Sequence, residues 1–369
     1  MGQIVIFSDG LLDLGPLGDL RSAADQRLSA LTWAERLEFW RGSGARGMPG
    51  GDEVLLINGA LCADRGVLET PLGAAYRSST GRLGAARCRP SEVELTKGGG
   101  GASRPLPAGW RLMERPWHAL DGLAGRIASE ITDVCAGWKT ARAACGEHPV
   151  FVAAGVSIGP GAIMDTRAGP IALAEDAAVE PNAVVQGPVW IGRASVIAPG
   201  ALIRGATSIG PWCKIGGEVS GCIFTGYSNK AHDGFLGDSL VGEWVNLGAA
   251  TNNSNLLNTY GEVTMRLRPS AALEKTGRQF FGCLIGDHVK TAIGTRIFTG
   301  ASVGTGTMWA ASAPLQGATE SFEWTTDEGR RQHGIEKFLE TARTVMKRRA
   351  KELSAADETQ LRALHAARR

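Results

Sequence analysis

The sequence predicts an α/β layer domain over residues 1–149, a parallel β-solenoid over 150–320 and a helical tail over 321–369. Three observations carry this. Short apolar runs alternate with a helical pattern before residue 149, aliphatic residues then recur at an unbroken spacing of six, and apolar spacing turns helical from Ile335.

In the first region Ile4-Val5-Ile6-Phe7, closed by Ser8-Asp9-Gly10, reads as a buried strand and turn. Leu28, Leu31, Leu37 and Trp40 have helical spacing, so a helix is expected from Leu28 to Trp40. Val54-Leu55-Leu56-Ile57, ended by Asn58-Gly59, is a second strand. The Gly-rich stretches 41–51 and 97–109 have the composition of flexible loops. Residues 119–138 return to a helical pattern.

The solenoid signal is the series Leu173, Val179, Val185, Ile191, Ile197, Ile203, Ile209 and Ile215. Chance yields such a run with a probability on the order of 1 in 10³. A period of six matches neither a helix nor a simple strand. It matches a coil in which each hexad contributes one short strand and one corner, with its aliphatic residue pointing inward. Small residues occupy a second column at Ala177, Ala183, Ser195, Ala201 and Thr207, where Val189 is the exception. Earlier turns fall at Val152, Ile158 and Met164, before a three-residue register shift across Arg167–Pro170. The period fails over 216–282 and resumes around Ile285, Ile293 and Val303. That irregular stretch is the expected place for function, because loops on a rigid solenoid commonly hold binding groups.

In the tail, Ile335, Phe338, Leu339, Ala342, Val345 and Met346 mark one helix face, and Ser354 with Asp357 caps a last helix, Ala355–Ala367. The basic cluster Lys347, Arg348, Arg349 and Lys351 reads as a solvated helix face in preference to a phosphate contact.

Composition narrows the functional classes. A net charge of +2 argues against a dedicated nucleic-acid binder, and no apolar run reaches the ~18 residues of a membrane span. Gly, at 51 of 369 residues, is about twice its usual ~7% share and fits many tight turns. The seven Cys form no C-x-x-C pair, which points to reduced structural thiols, with Cys213 and Cys222 filling the solenoid interior. The first residues, MGQIVIFSDG, have no basic n-region, so a cytoplasmic protein is expected. The six His lie at least 30 residues apart, without the paired spacing a zinc-bearing solenoid needs. Trp117 reads as a packing anchor. The run Thr251-Asn252-Asn253-Ser254-Asn255 reads equally as a ligand surface or as an Asn ladder on solenoid corners.

The segment GYSNKAHDGFLGDSLVGEWVNLGAATNNSNLLNTYGEV, residues 226–263, resembles the bifunctional N-acetylglucosamine-1-phosphate uridylyltransferase/glucosamine-1-phosphate acetyltransferase family. The likeness is strong over about residues 150–310 and looser before, where it rests on Pro16-Leu17, Arg21, Arg27 and Leu31-Thr32-x-x-Glu35-Arg36. It implies a left-handed β-helix, a nucleotidyltransferase-like N-terminal domain of reduced size, and a homotrimer with acyl-transfer sites between subunits. By the same resemblance His232 is a general base, a role that suits an imidazole titrating near neutral pH. Asn246, Asn258 and Tyr260 match substrate-contacting positions, and Ala249 matches a backbone contact to acetyl-coenzyme A. Arg21 and Arg27 are candidates for substrate phosphates, against a plain reading as helix-surface charges. The family's sugar-phosphate Lys falls on Ser220 and a substrate-contacting Tyr on Phe235. Its Gly-rich nucleotide loop is replaced by Phe7-Ser8-Asp9-Gly10-Leu11-Leu12-Asp13, from which no phosphate-cradling nest is inferred.

The implied function is sugar-nucleotide metabolism: nucleotidyl transfer from a nucleoside triphosphate to a sugar 1-phosphate, acyl transfer from acetyl-coenzyme A to an amino sugar phosphate, or both. Asp9, Asn58 or Asp64 would supply oxygen ligands to Mg²⁺. The alternative is a non-catalytic sugar-nucleotide or sugar-phosphate sensor on the same scaffold.

Overall fold

The computed structural model describes residues 2–42 and 46–367. The chain divides into two compact units, Met1–Asp13 with Arg21–Ala119, and Leu14–Leu20 with Leu120–Arg369. Compactness thus divides the chain between Ala119 and Leu120, where the sequence reading placed its boundary at 149.

The first unit is an α/β layer. Its strands are β1 (Gln3–Phe7), β2 (Val54–Asn58), β3 (Leu61–Cys62), β4 (Ala74–Arg77), β5 (Leu83–Cys88), β6 (Ala102–Pro105) and β7 (Arg111–Leu112), with helices α1 (Trp33–Gly42) and α2 (Val93–Lys97). Five strands form one sheet in the order β1-β2-β5-β4-β6. β2 is buried along its whole length, as its unbroken apolar run requires. Helix α1 starts later than its apolar spacing suggests. Thr32 Oγ1 accepts from the Glu35 amide (3.2 Å) and Glu35 accepts from the Thr32 amide (2.8 Å), a reciprocal cap that fixes the helix start and leaves Leu28–Leu31 as a buried irregular segment. The 97–109 stretch is not loop throughout: residues 102–105 pair in parallel with β4. Of the other Gly-rich stretch, residues 43–45 lie outside the described residues.

The second unit holds the solenoid. Its three faces are a nine-stranded sheet, with members such as Ile171–Leu173, Val189–Ile191 and Thr207–Ile209, and two five-stranded sheets, one with Val196–Ile197, Lys214–Ile215 and Asn229–Lys230, the other with Leu202–Ile203, Glu218–Ser220 and Phe235–Gly237. Val179 stacks on Ile197 and Ile197 on Ile215, one eighteen-residue coil apart in each case. All eight residues of the six-spaced series are buried, and each fully buried aliphatic chain contributes about 1.5–3 kcal/mol. The second column is buried too. Ser195 satisfies its hydroxyl there by donating to the Gly210 carbonyl (2.7 Å) and accepting from the Cys213 amide (2.8 Å).

Beyond Ile215 the coils continue where the sequence pattern fades. Ile215 pairs with Lys230 and Glu218 with Phe235, so the path shortens while the stacking persists. The real excursion begins after Asn253, and stacking resumes at Cys283–Ile285. Ile285 and Val303 point inward as expected, but Ile293 is 80% exposed. The inward positions there are Thr291 and Ile297, both buried, and Ile293 sits outside the hexad register on the corner between them. Asn252 and Asn253 anchor the start of the excursion as a ladder: Asn253 accepts from the Gly237 amide (2.8 Å) and donates to the Gly237 carbonyl (3.0 Å) and Ser239 Oγ (3.1 Å), and Asn252 accepts from the Phe235 amide (2.8 Å). The side chains replace a missing strand rung.

Helix α3 (Leu123–Val134) buries Leu123, Ile127 and Ile131 at i, i+4 spacing against the nine-stranded sheet. The tail forms α4 (Ile335–Lys347) and α5 (Ala355–Ala366), the latter capped by Ser354 Oγ accepting from the Asp357 amide (3.0 Å). Phe338 of α4 packs edge-on against Phe322 (ring centroids 4.9 Å) and His288 (5.5 Å). All seven cysteines are free thiols, six of them buried, Cys213 and Cys222 completely. Trp117 is buried. Among the described residues no helix is long and apolar enough to cross a membrane.

Candidate functional site

One cavity gathers most of the chemistry the solenoid offers. It measures about 510 Å³ and is lined by His232, Asn246, Ala249, Thr291, Lys214, Asn229, Arg348 and Arg349, among others. Parallel stacking places these groups together. Lys214 pairs with Asn229, Asn229 bridges to Asn246, and Asn246 bridges to Lys290, so positions far apart in the chain form one outward-facing column. The Asn229 amide donates to Asn246 Oδ1 (3.3 Å).

His232 is exposed on the corner that follows Lys230. The Gly248–Ala249 turn is held from two sides: the Gly248 amide donates to Thr291 Oγ1 (3.0 Å), and the Ala249 carbonyl accepts from the Gly294 amide (2.7 Å). Thr251 and Thr291 hydroxyls meet beneath it at 3.1 Å. A rigid turn that lines the same cavity as the imidazole provides fixed dipoles there.

The basic tail cluster returns to this site. Arg349 donates to Asn229 Oδ1 (2.9 Å) across 120 positions of sequence, and Arg348 lines the same cavity. The solvated-face reading holds for exposed Lys347 and Lys351, but not for Arg349. Burial, together with the charge of Arg348, draws the Arg349 pKa below its ordinary value. Among the described residues that line the cavity, none is acidic. Three cations without a carboxylate suit an anionic ligand. Sequence spacing could not reveal this, because a helix end that returns to a distant coil leaves no local period.

The other predicted positions lie elsewhere. Asn258 and Tyr260 are exposed on the excursion after Asn253, Tyr260 at 69%, and neither lines the cavity. In the first unit Arg27 is buried, ion-paired to Glu35 (2.7 Å) and donating to the Ala30 carbonyl. Burial pushes the Glu35 pKa up, but Arg27 and the hydrogen bonds of Thr32 outweigh it, and the net shift is downward. The Thr32-x-x-Glu35 motif and Arg27 therefore have a local structural explanation, and the guanidinium faces no solvent. Arg21 is half-buried.

Asp9 and Asn58 do come together, at 2.9 Å. Arg82 also binds the Asp9 carboxylate through Nε (3.0 Å) and a terminal nitrogen (3.2 Å), and the Leu11 amide donates to it (3.1 Å). Burial raises the Asp9 pKa, and these donors more than offset the rise. Asp64 caps the turn at Gly66 and accepts from Trp110 Nε1 (3.2 Å). The Asp9 carboxylate is thus taken up by the protein's own donors, whereas both hydrogen bonds to exposed Asp64 fall on Oδ1. Among the described residues no cluster of three or more His, Cys, Asp or Glu is disposed to hold a metal.

No protein-family model matches the chain. It is similar to "Bifunctional protein GlmU" of Methanococcus vannielii, 31% identical over 113 residues, which is 30% of this chain and 27% of the relative. It is also similar to "Bifunctional sugar-1-phosphate nucleotidylyltransferase/acetyltransferase" of Sulfurisphaera tokodaii, 33% identical over 93 residues, 25% of this chain and 23% of the relative. The match thus spans about a quarter of the length of these curated relatives.

Proposed function

We propose that the solenoid cavity carries acyl transfer from acetyl-coenzyme A to the amine of an amino sugar phosphate. The observation that carries this reading is the placement of His232, Asn246 and Ala249 in one cationic cavity, and the acetyltransferase activity printed in the name of the Sulfurisphaera relative is in keeping with it. His232 accepts the proton of the substrate ammonium, the freed nitrogen forms a bond to the thioester carbonyl carbon, and the C–S bond breaks to release coenzyme A, whose sulfur takes a proton. The Gly248–Ala249 turn and Asn246 orient the reactants. Lys214, Arg348 and Arg349 hold phosphate groups.

Asn258 and Tyr260, lying outside the cavity of their own chain, are assigned in this reading to the site of a neighbouring copy in a homotrimer. Nucleotidyl transfer from a nucleoside triphosphate to a sugar 1-phosphate is the companion proposal for the N-terminal unit. It is supported by the activity that the Sulfurisphaera relative's name prints. A cytoplasmic location belongs to the same reading.

The test is mass spectrometry of the full chain incubated with acetyl-coenzyme A, Mg²⁺, nucleoside triphosphates and a panel of sugar phosphates. Acyl transfer yields a product heavier by one acetyl group, and His232→Ala loses it by about 10²–10⁴-fold while retaining the fold. Unchanged turnover in that variant removes His232 from the mechanism. A panel that yields no product but raises the melting temperature returns the sensor reading.

A further inference from the structure

The aliphatic column that runs through Val179, Ile197 and Ile215 continues on the next coil with a lysine. Lys230 pairs with Ile215, and Leu247, which follows the Asn246 bridged to Asn229, takes the coil after. Lys230 is only 2% exposed. Its ammonium donates to the Gly216 carbonyl (2.8 Å) and to the His232 carbonyl (2.9 Å). The Lys230 carbonyl in turn accepts from the Gly216 amide (2.7 Å). The side chain thus ties two successive coil corners together, and the second corner carries His232.

The corner has a reason to need this. Ile197 to Ile215 is a full coil of eighteen residues, whereas Ile215 pairs with Lys230 fifteen residues on. The shortening falls at the first of the two corners, where Ile215 and Val219 fill successive inward positions only four residues apart, whereas Lys230 and Leu236 keep the usual six; both corners hold left-handed glycines, Gly217 at φ 67° and Gly234 at φ 117°. A Cβ at Gly217 would stand 2.6 Å from the Gly234 carbonyl oxygen and 2.9 Å from the Lys230 ammonium, so only glycine fits. Ile197 and Ile215, in the same column, leave their corners without such a tie.

The ammonium is costly where it is. Burial draws the Lys230 pKa down from 10.5 to about 8, opposed by the nearby charge of Asp233. An aliphatic residue of similar volume would fill the slot without that penalty. Stability alone does not account for a lysine here.

We propose that Lys230 is a positioning residue for His232, holding the full-length corner after it onto the shorter corner at Gly216 so that the imidazole is presented to the cavity in one orientation. The inference deepens the acyl-transfer reading and rests on it for its catalytic consequence. The backbone tie itself does not depend on that reading.

The experiment compares the full-length wild type with Lys230→Met and Lys230→Leu, both suited to an aliphatic slot. Melting temperature, steady-state acetyl transfer and amide hydrogen exchange are measured on each. Both variants are expected to melt at or above the wild-type temperature, to lose about 10- to 100-fold in kcat with the KM for acetyl-coenzyme A unchanged, and to exchange faster at residues 231–234 while residues 195–215 keep their protection. Wild-type kcat together with unchanged exchange at 231–234 overturns the proposal. A lower melting temperature with faster exchange in every coil, and activity falling only with the folded fraction, overturns it as well, since that is the signature of a plain core residue. If the wild type makes no acetylated product, the acyl-transfer reading fails separately, and the tie stands or falls on exchange at 231–234.

Discussion

Asn253→Ala tests whether the Asn-rich run is a structural ladder or a ligand surface. The Asn253 side chain is nearly buried; it accepts from the Gly237 amide and donates to the Gly237 carbonyl and Ser239 Oγ, with a longer contact to the Ser254 carbonyl at 3.5 Å. Gly237 and Ser239 are themselves buried. Truncation strands the Gly237 amide, which has no water to turn to, whereas the carbonyl keeps its bond from Ser239 Oγ at 2.8 Å. One fully orphaned donor at about 1–3 kcal/mol and two weakened contacts at about 0.5–1 kcal/mol each sum to a loss of about 2–5 kcal/mol. Asn252→Ala is the internal control. Asn252 is exposed and accepts from Phe235, whose amide water can reach after truncation, so its loss stays below about 1 kcal/mol. Urea denaturation of both variants gives the two values, and hydrogen exchange at residues 235–239 locates the weakening. A loss below about 0.5 kcal/mol for Asn253→Ala, or an equal loss for both variants, would refute the ladder argument.

Two further outcomes follow from the cavity and the tail. Arg349→Ala removes a cation that faces the cavity and is expected to raise the KM for acetyl-coenzyme A by about tenfold, the equivalent of one charge-assisted hydrogen bond, with kcat retained. Steady-state kinetics with acetyl-coenzyme A and with acetyl-pantetheine, which has no phosphates, distinguishes the causes: an equal KM rise for both donors would rule out phosphate contact. The tail should also loosen in acid. Burial, then Lys290, Arg331, His365 and Lys337, lower the His333 pKa below 6.5. The unfolded imidazole therefore binds a proton at a pH where the folded one does not. Its stability contribution is complete above pH 6.5 and is lost as pH falls through the lower folded value. Hydrogen exchange in 335–347 measured between pH 7 and 5, corrected for intrinsic rates, should show protection falling, and constant or rising protection would contradict the sign.

Much of the fold is legible in the sequence because its physics is local and repeated. Every eighteen-residue coil presents the same inward slot to the same surroundings, so Leu173 to Ile215 declare the solenoid without any knowledge of long-range contacts. The tail helices are legible for the same kind of reason, through an amphipathic face and the Ser354 cap. Where local rules compete, the sequence pattern misleads. Apolar spacing starts the first helix at Leu28, but the Thr32–Glu35 cap starts it later. An isoleucine near the expected register drew attention to Ile293, while the coil uses Thr291 and Ile297.

What the sequence alone determined is the periodic scaffold and the segment that interrupts it, with His232 on that segment as the candidate base. Tertiary structure decided the company His232 keeps. The chain returns after its excursion to stack Lys290 on Asn246, and the turn after α4 sets Arg349 against Asn229. These neighbours are set by where distant segments come back to the coil, and closure over such distances leaves no period in the chain. The same holds for Lys230, whose type breaks the aliphatic pattern and whose role is visible only once its ammonium is seen to join two corners.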